Sequence, residues 1–208
     1  MEKIKILNLY AGIGGNRKLW PNDKIEVTAV EILPEIAKIY KHFFPNDNVV
    51  VADAHKYLLE HYKEFDFIWS SPPCPTHSRV RKATEHQNPP VFPDMKLYEE
   101  ILFLQGYFKG KWVVENVIAW YQPLIKPFKY KEHFYWSNFV IDGKKTTYRG
   151  HFANIDELSK LKGFNLEQFK GIDKNKALRN CVEPEAGLYI FNLAYKEQQR
   201  SVEDWFGC

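Results

Sequence analysis

Five short apolar runs, separated by stretches of helical period, limit what this chain can fold into. "IKILNLY" (4–10), "IEVTAVE" (25–31), "VVVA" (49–52), "FDFIW" (65–69) and "WVVEN" (112–116) are rich in β-branched or aromatic residues, as strands are. Between them, residues 34–44 open on Pro34 and set Ile36, Ile39, Tyr40 and Phe43 on one helical face. Residues 96–108 repeat the pattern with Leu97, Ile101, Leu104 and Phe108. Strands that alternate with helices predict an α/β fold, a mainly parallel twisted sheet covered by helices on both faces.

Such a sheet binds ligands at the carboxyl ends of its strands, so the residues just after each run carry the chemistry. The first run leads into "YAGIGGNRKLW", where Gly12, Gly14 and Gly15 let backbone approach a ligand; a tight strand-to-helix turn accounts for them equally well. The second ends at Glu31, which can accept hydrogen bonds from both hydroxyls of a ribose. Asp53 follows the third and suits an adenine amino group, although either carboxylate could simply cap the next helix. Together they outline an adenosine-containing cofactor.

The fourth run leads into "WSSPPCPTHSR". Its prolines cannot continue a sheet ladder, so they hold the Cys74 thiol out for display. The fifth delivers Glu115 in "VVENV", a carboxylate costly to bury without cause. A thiol and a carboxylic acid in one crevice fit attack on an electron-poor ring with proton donation to that ring.

The chain's 208 residues, 45% of them hydrophobic, suit one domain over 1–208. No apolar run approaches the roughly 20 residues of a membrane span, and "MEKIKILNLY" reads as a charged lead into a strand and not as a signal peptide, so a cytoplasmic protein without membrane partners is expected. Cys74, Cys181 and Cys208 are odd in number and far apart, which predicts neither a disulfide framework nor a metal site. A formal net charge of +3 permits a nucleic-acid partner without requiring one. Arg79, Arg81 and Lys82 follow the displayed cysteine, and Lys126, Lys129, Lys131, Lys144, Lys145 and Arg149 crowd a later stretch; a solvated basic face explains them as readily.

In combination and in order, "LNLYAGIGG", "VEILPE", "ADAH", "SPPCPTHS" and "VENV" resemble the motifs of DNA (cytosine-5)-methyltransferases. "LRNCVEPEAG" is similar to the segment that closes the cofactor pocket in that family. The resemblance covers residues 1–118 and 177–195. It implies a Rossmann-like fold that binds S-adenosyl-L-methionine through Tyr10, Ala11, Gly12, Ile13, Gly14 and Gly15. Glu31 would then hold the ribose and Ile32 would pack on adenine. Asp53 beside Ala54 would take the adenine amino group, with Pro73, Asn180 and Val182 completing the pocket and the last two lining the methionine end.

Cys74 would add to carbon 6 of a flipped-out cytosine while Glu115 engages ring nitrogen 3, and carbon 5 would accept the methyl group before the thiol leaves. A site that favours the thiolate is expected. Residues 76–94 resemble the loop that closes over the base, with Ser78, Arg79, Arg81, Asn116, Val117 and His133 expected on double-stranded DNA. Asn8, Tyr10, Pro75 and Arg179 depart from the family's usual residues, and no Gln-x-Arg-x-Arg follows "VENV". The nearest candidate is "EHFYWSNF", with Glu132 and His133.

The interval 139–176 is too short for a separate target-recognition domain. A short, phage- or prophage-like modification enzyme with a reduced recognition insert is expected, residues 177–208 returning to the catalytic domain; a partner chain or looser specificity are the alternatives. Two rivals are an amino-methyltransferase acting on N4 of cytosine or N6 of adenine, suggested by "SSPP", and a non-catalytic relative of the fold.

Overall fold

The computed structural model describes residues 2–87, 89–142 and 154–195. Its elements run β1 (Ile4–Leu9), β2 (Ile25–Glu31), α1 (Pro34–Phe43), β3 (Asn48–Val51), α2 (Ala54–His61), β4 (Phe67–Ser70), α3 (Arg79–Ala83), α4 (Lys96–Tyr107), β5 (Lys111–Val117), β6 (Phe128–Tyr130), β7 (His133–Ser137), α5 (Ile155–Lys162), α6 (Lys174–Arg179) and α7 (Pro184–Tyr195). The sheet order is β3-β2-β1-β4-β5-β7-β6. Strands β1 to β5 are parallel, while β7 runs antiparallel to both β5 and β6. All five expected strands are present, in the expected α/β arrangement.

The β6–β7 hairpin was not legible. Its turn, Lys131–Glu132, contains no glycine, proline or asparagine, and Lys131 itself takes the positive φ (+51°) that such residues usually supply. Along β4, Phe67 and Trp69 enter one core layer with Trp20, Tyr135 and α7's Ile190, and Ile68 enters the other with α2's Leu58 and α4's Leu97 and Ile101. Alternate residues thus bury on opposite faces. This is the two-sided cover expected, although α7 was not anticipated: its buried Ala186, Gly187, Ile190, Phe191 and Ala194 follow helical spacing, but Leu188, Tyr189 and Leu193 beside them are apolar too and blur the periodic signal.

A third cluster joins Ile39, Tyr40 and Phe44, in and just after α1, to Leu158, Phe164, Leu166 and Leu178. The short helices α5 and α6 are thereby packed against α1. Lys144, Lys145, Arg149 and Cys208 lie outside the described residues. Among the described residues, no helix is long and apolar enough to cross a membrane and no group of side chains is arranged to hold a metal.

Candidate active site

At the end of β1, Tyr10 and Gly12 both take positive φ (+54°), turning the chain across the strand ends. The Gly12 N–H donates to Oε2 of Glu31 at 3.0 Å, and the Leu33 N–H donates to Oε1 at 3.0 Å. Buried Glu31 therefore braces both the glycine turn and the entry to α1. A Cβ on Gly12 would meet nothing within 4 Å, so open space lies before it. Gly14 and Gly15 face protein instead: a Cβ would fall 2.3 Å from the Phe44 ring and 2.1 Å from the Val182 carbonyl oxygen, respectively.

Asp53 caps α2, its Oδ1 accepting from the N–H groups of Lys56 and His55, which hold its carboxyl below the usual range. Ala11, Ile13 and Ala54 are buried beneath this rim, whereas Ile32 and Pro73 are exposed along it. The open space at Gly12, beside Glu31 and at the same carboxyl ends of the strands as exposed Ile32 and Asp53, fits an adenosine-containing cofactor. Asn180, exposed, caps the C-terminus of α6, and half-buried Val182 follows against Gly15.

Glu100 was not anticipated. It lies on α4 and is 1% exposed. It accepts hydrogen bonds from the Tyr10 hydroxyl (2.6 Å) and the Ser70 hydroxyl (2.5 Å), with His55 Nδ1 at 3.0 Å. One buried carboxylate thus joins the ends of β1 and β4 to the start of α2. Burial, aided by Glu100, pushes the Tyr10 hydroxyl far above its ordinary value. The available signal was a lone acid at position 100 inside the apolar stripe Leu97, Ile101, Leu104.

The cysteine turn is held from both sides. Asn116 donates from Nδ2 to the Pro72 carbonyl oxygen at 2.9 Å while its Oδ1 accepts from the Val117 N–H. The Cys74 carbonyl accepts from the N–H groups of His77 and Ser78, leading the chain into α3, which Ser78 caps through its hydroxyl. Beyond β5, the Trp120 indole donates to the Thr76 carbonyl and its backbone N–H to the His77 carbonyl, and Arg81 donates to the Pro89 carbonyl. Arg79 is exposed. His77 is buried, with Nδ1 2.6 Å from the Tyr121 hydroxyl. Asn116 therefore faces inward, supporting the turn, while Arg79 is exposed to solvent and half-exposed Arg81 leans on the Pro89 carbonyl.

Cys74 is half-buried, and its thiol is pushed up by burial and then by the Glu115 carboxylate. This corrects the expectation of a thiolate-favouring site: without ligand, a low-dielectric wall and a nearby negative charge both penalise the anion. Glu115 is 7% exposed and pairs in register with Tyr135, two positions from the Val117–His133 pair. These four side chains share a sheet face, and His133 Nε2 comes within 3.4 Å of Glu115 Oε1. Glu132 sits at the hairpin turn, outside β7.

Residues 4–117, more than half of the chain, match the family model described as C-5 cytosine-specific DNA methylase. A tRNA (cytosine(38)-C(5))-methyltransferase of Spodoptera frugiperda is 33% identical over 90 residues, which cover 41% of this chain and 27% of the relative. The protein of that name in Rattus norvegicus is 29% identical over 85 residues, covering 38% and 22%. The chain thus spans about a quarter of the length of the relatives it matches. A methyltransferase structure from Entamoeba histolytica shares its fold with a TM-score of 0.56 at 12% identity, over 94% of this chain and 98% of that one.

Proposed function

The chain belongs to the C-5 cytosine-specific DNA methylase family, and from that premise we propose that it methylates carbon 5 of cytosine in DNA through a covalent adduct to Cys74. S-adenosyl-L-methionine, held by the glycine turn, Glu31, Ile32 and Asp53, supplies an electrophilic methyl group when bound. The observation that carries this reading is the support of the Cys74 turn by Asn116, the residue beside Glu115, which sets thiol and carboxyl on adjacent strand ends.

Glu115, protonated, donates to ring nitrogen 3 of the base. The Cys74 sulfur forms a bond to carbon 6, and the electron pair displaced from the ring double bond makes carbon 5 nucleophilic. After methylation, a base, water in the crevice, takes the carbon 5 proton; the electron pair of that C–H bond reforms the ring double bond and the thiolate is expelled. The raised thiol fits this order: as the base docks, the proton lost by the Cys74 thiol passes through solvent to the Glu115 carboxylate, which removes the charge that opposes thiolate formation and makes Glu115 the donor to ring nitrogen 3. Residues 1–138 and 177–208 would form one catalytic unit, with 139–176, which carry α5 and the first turn of α6, as what remains of a recognition insert.

A second reading concerns the polymer. The matched relatives are named as tRNA methyltransferases, which favours RNA as the alternative substrate. Transfer of labelled methyl groups to duplex DNA, single-stranded DNA and tRNA, with the modified base identified by chromatography, tests both. 5-Methylcytosine in duplex DNA is expected, whereas N4-methylcytosine or N6-methyladenine would overturn the mechanism. DNA carrying 5-fluorocytosine should trap a covalent complex with the unaltered protein and none with Cys74→Ala.

A further inference from the structure

Lys162 is the last residue of α5 and is 5% exposed. Its ammonium donates to the Cys181 carbonyl oxygen at 2.8 Å. An ammonium has three N–H donors, and burying one without a counter-charge is costly. Yet among the described residues no carboxylate lies within 4 Å of it; Glu183 is paired with Lys131, and Glu115 faces His133. Burial holds its pKa below that of an ordinary lysine, although Glu183 and Glu115 pull the other way.

The place of this cation is specific. Cys181 stands between Asn180 and Val182, and the atoms nearest a Cβ on Gly15 are the Val182 carbonyl oxygen, the Cys181 sulfur and the Val182 nitrogen. Lys162 therefore backs the wall that closes on the glycine turn, and Glu115 of β5, which lies across β1 and β4 from the strands that lead to Ile32 and Asp53, is among the charges that act on it. A cofactor with its adenosine at the β2–β3 rim would extend its amino-acid portion, which carries a carboxylate, away from that rim over the glycine turn, against which Cys181 and Val182 pack.

We infer that Lys162, delivered by the helix that stands in for a recognition insert, is the counter-ion of the cofactor's methionyl carboxylate. The inference rests on the methyltransferase reading. A long, flexible lysine side chain can turn its remaining donors to the ligand while α5 stays packed through Leu158.

Calorimetric titration of the full chain with S-adenosylmethionine and with its decarboxylated form, S-adenosylmethioninamine, tests it. The unaltered protein should prefer the carboxylated ligand, and Lys162→Met should lose about tenfold or more in affinity for S-adenosylmethionine, as expected for a charge-assisted hydrogen bond. Affinity for the decarboxylated ligand should change little. A lysine that only tied α5 to Cys181 would weaken both ligands alike; that result, or equal binding of the two ligands by the unaltered protein, overturns the assignment. Should Lys162→Met fail to fold, Lys162→Gln and the unaltered protein's own preference give the same discrimination. If the unaltered protein binds neither ligand, the methyltransferase reading itself fails.

Discussion

Asn116 and Pro72 are joined by a 2.9 Å hydrogen bond in the interior, from side-chain amide to backbone carbonyl, so that β5 supports the turn that displays Cys74. Removing the donor leaves a buried carbonyl unsatisfied, at a cost of about 1–3 kcal/mol. Asn116→Ala should lower kcat while the dissociation constant for S-adenosylmethionine stays unchanged. A calorimetric loss of cofactor binding matching the loss of rate would contradict a role confined to the cysteine turn.

Glu115 should suppress the reactivity of Cys74 until a base is bound. Its charge is one of the two causes that raise the thiol, so Glu115→Gln should shift the pH profile of Cys74 alkylation by iodoacetamide to lower pH in the ligand-free protein. The same variant should be nearly inactive in methyl transfer, because the amide is a poor proton donor to the ring. An unmoved alkylation profile means that burial alone sets the thiol.

Glu31 ties Gly12 to Leu33 and faces the cofactor rim. Glu31→Ala should weaken S-adenosylmethionine binding by about 1–3 kcal/mol through lost charge-assisted hydrogen bonds. Unaltered affinity would remove it from the site.

The contact of His55 with Glu100 makes stability depend on pH. The hydrogen bond to Glu100 raises His55 above its ordinary 6.5, with Glu99 helping and Lys96 and burial opposing. Its contribution is therefore complete below the unfolded value and is lost as pH rises through the higher folded value. The difference in melting temperature between the unaltered protein and His55→Gln should shrink from pH 6 upward. A difference that stays constant to about pH 9 rules the linkage out.

Arg79 and Arg81, on α3, and Lys126 and Lys129 can reach phosphates, while few side chains remain to read base edges. Binding should fall steeply with salt, about one unit of log-log slope per neutralised phosphate. Arg81→Ala should weaken binding across all sequences without moving the preferred site. Bisulfite sequencing of a methylated plasmid should reveal a short or degenerate target; a long, strictly defined one would show that recognition is complete within this chain.

The sequence by itself determined the five parallel strands and the residues at their ends, because strand preference is local and a chemically active residue there sits beside the run that positions it. The Gly12 turn, Asp53, Cys74 and Glu115 could all be placed in this way. Only the tertiary structure decided what depends on burial and on partners far along the chain. Glu100 meets Tyr10 across 90 positions, and Lys162 meets Cys181 between segments that no shared period connects. His133 reaches Glu115 only because β7 pairs with β5 in one particular register. The ionisation of Cys74 was misjudged from sequence for that same reason: a thiol's pKa follows the dielectric and the charges that surround it, and the fold as a whole assembles those surroundings.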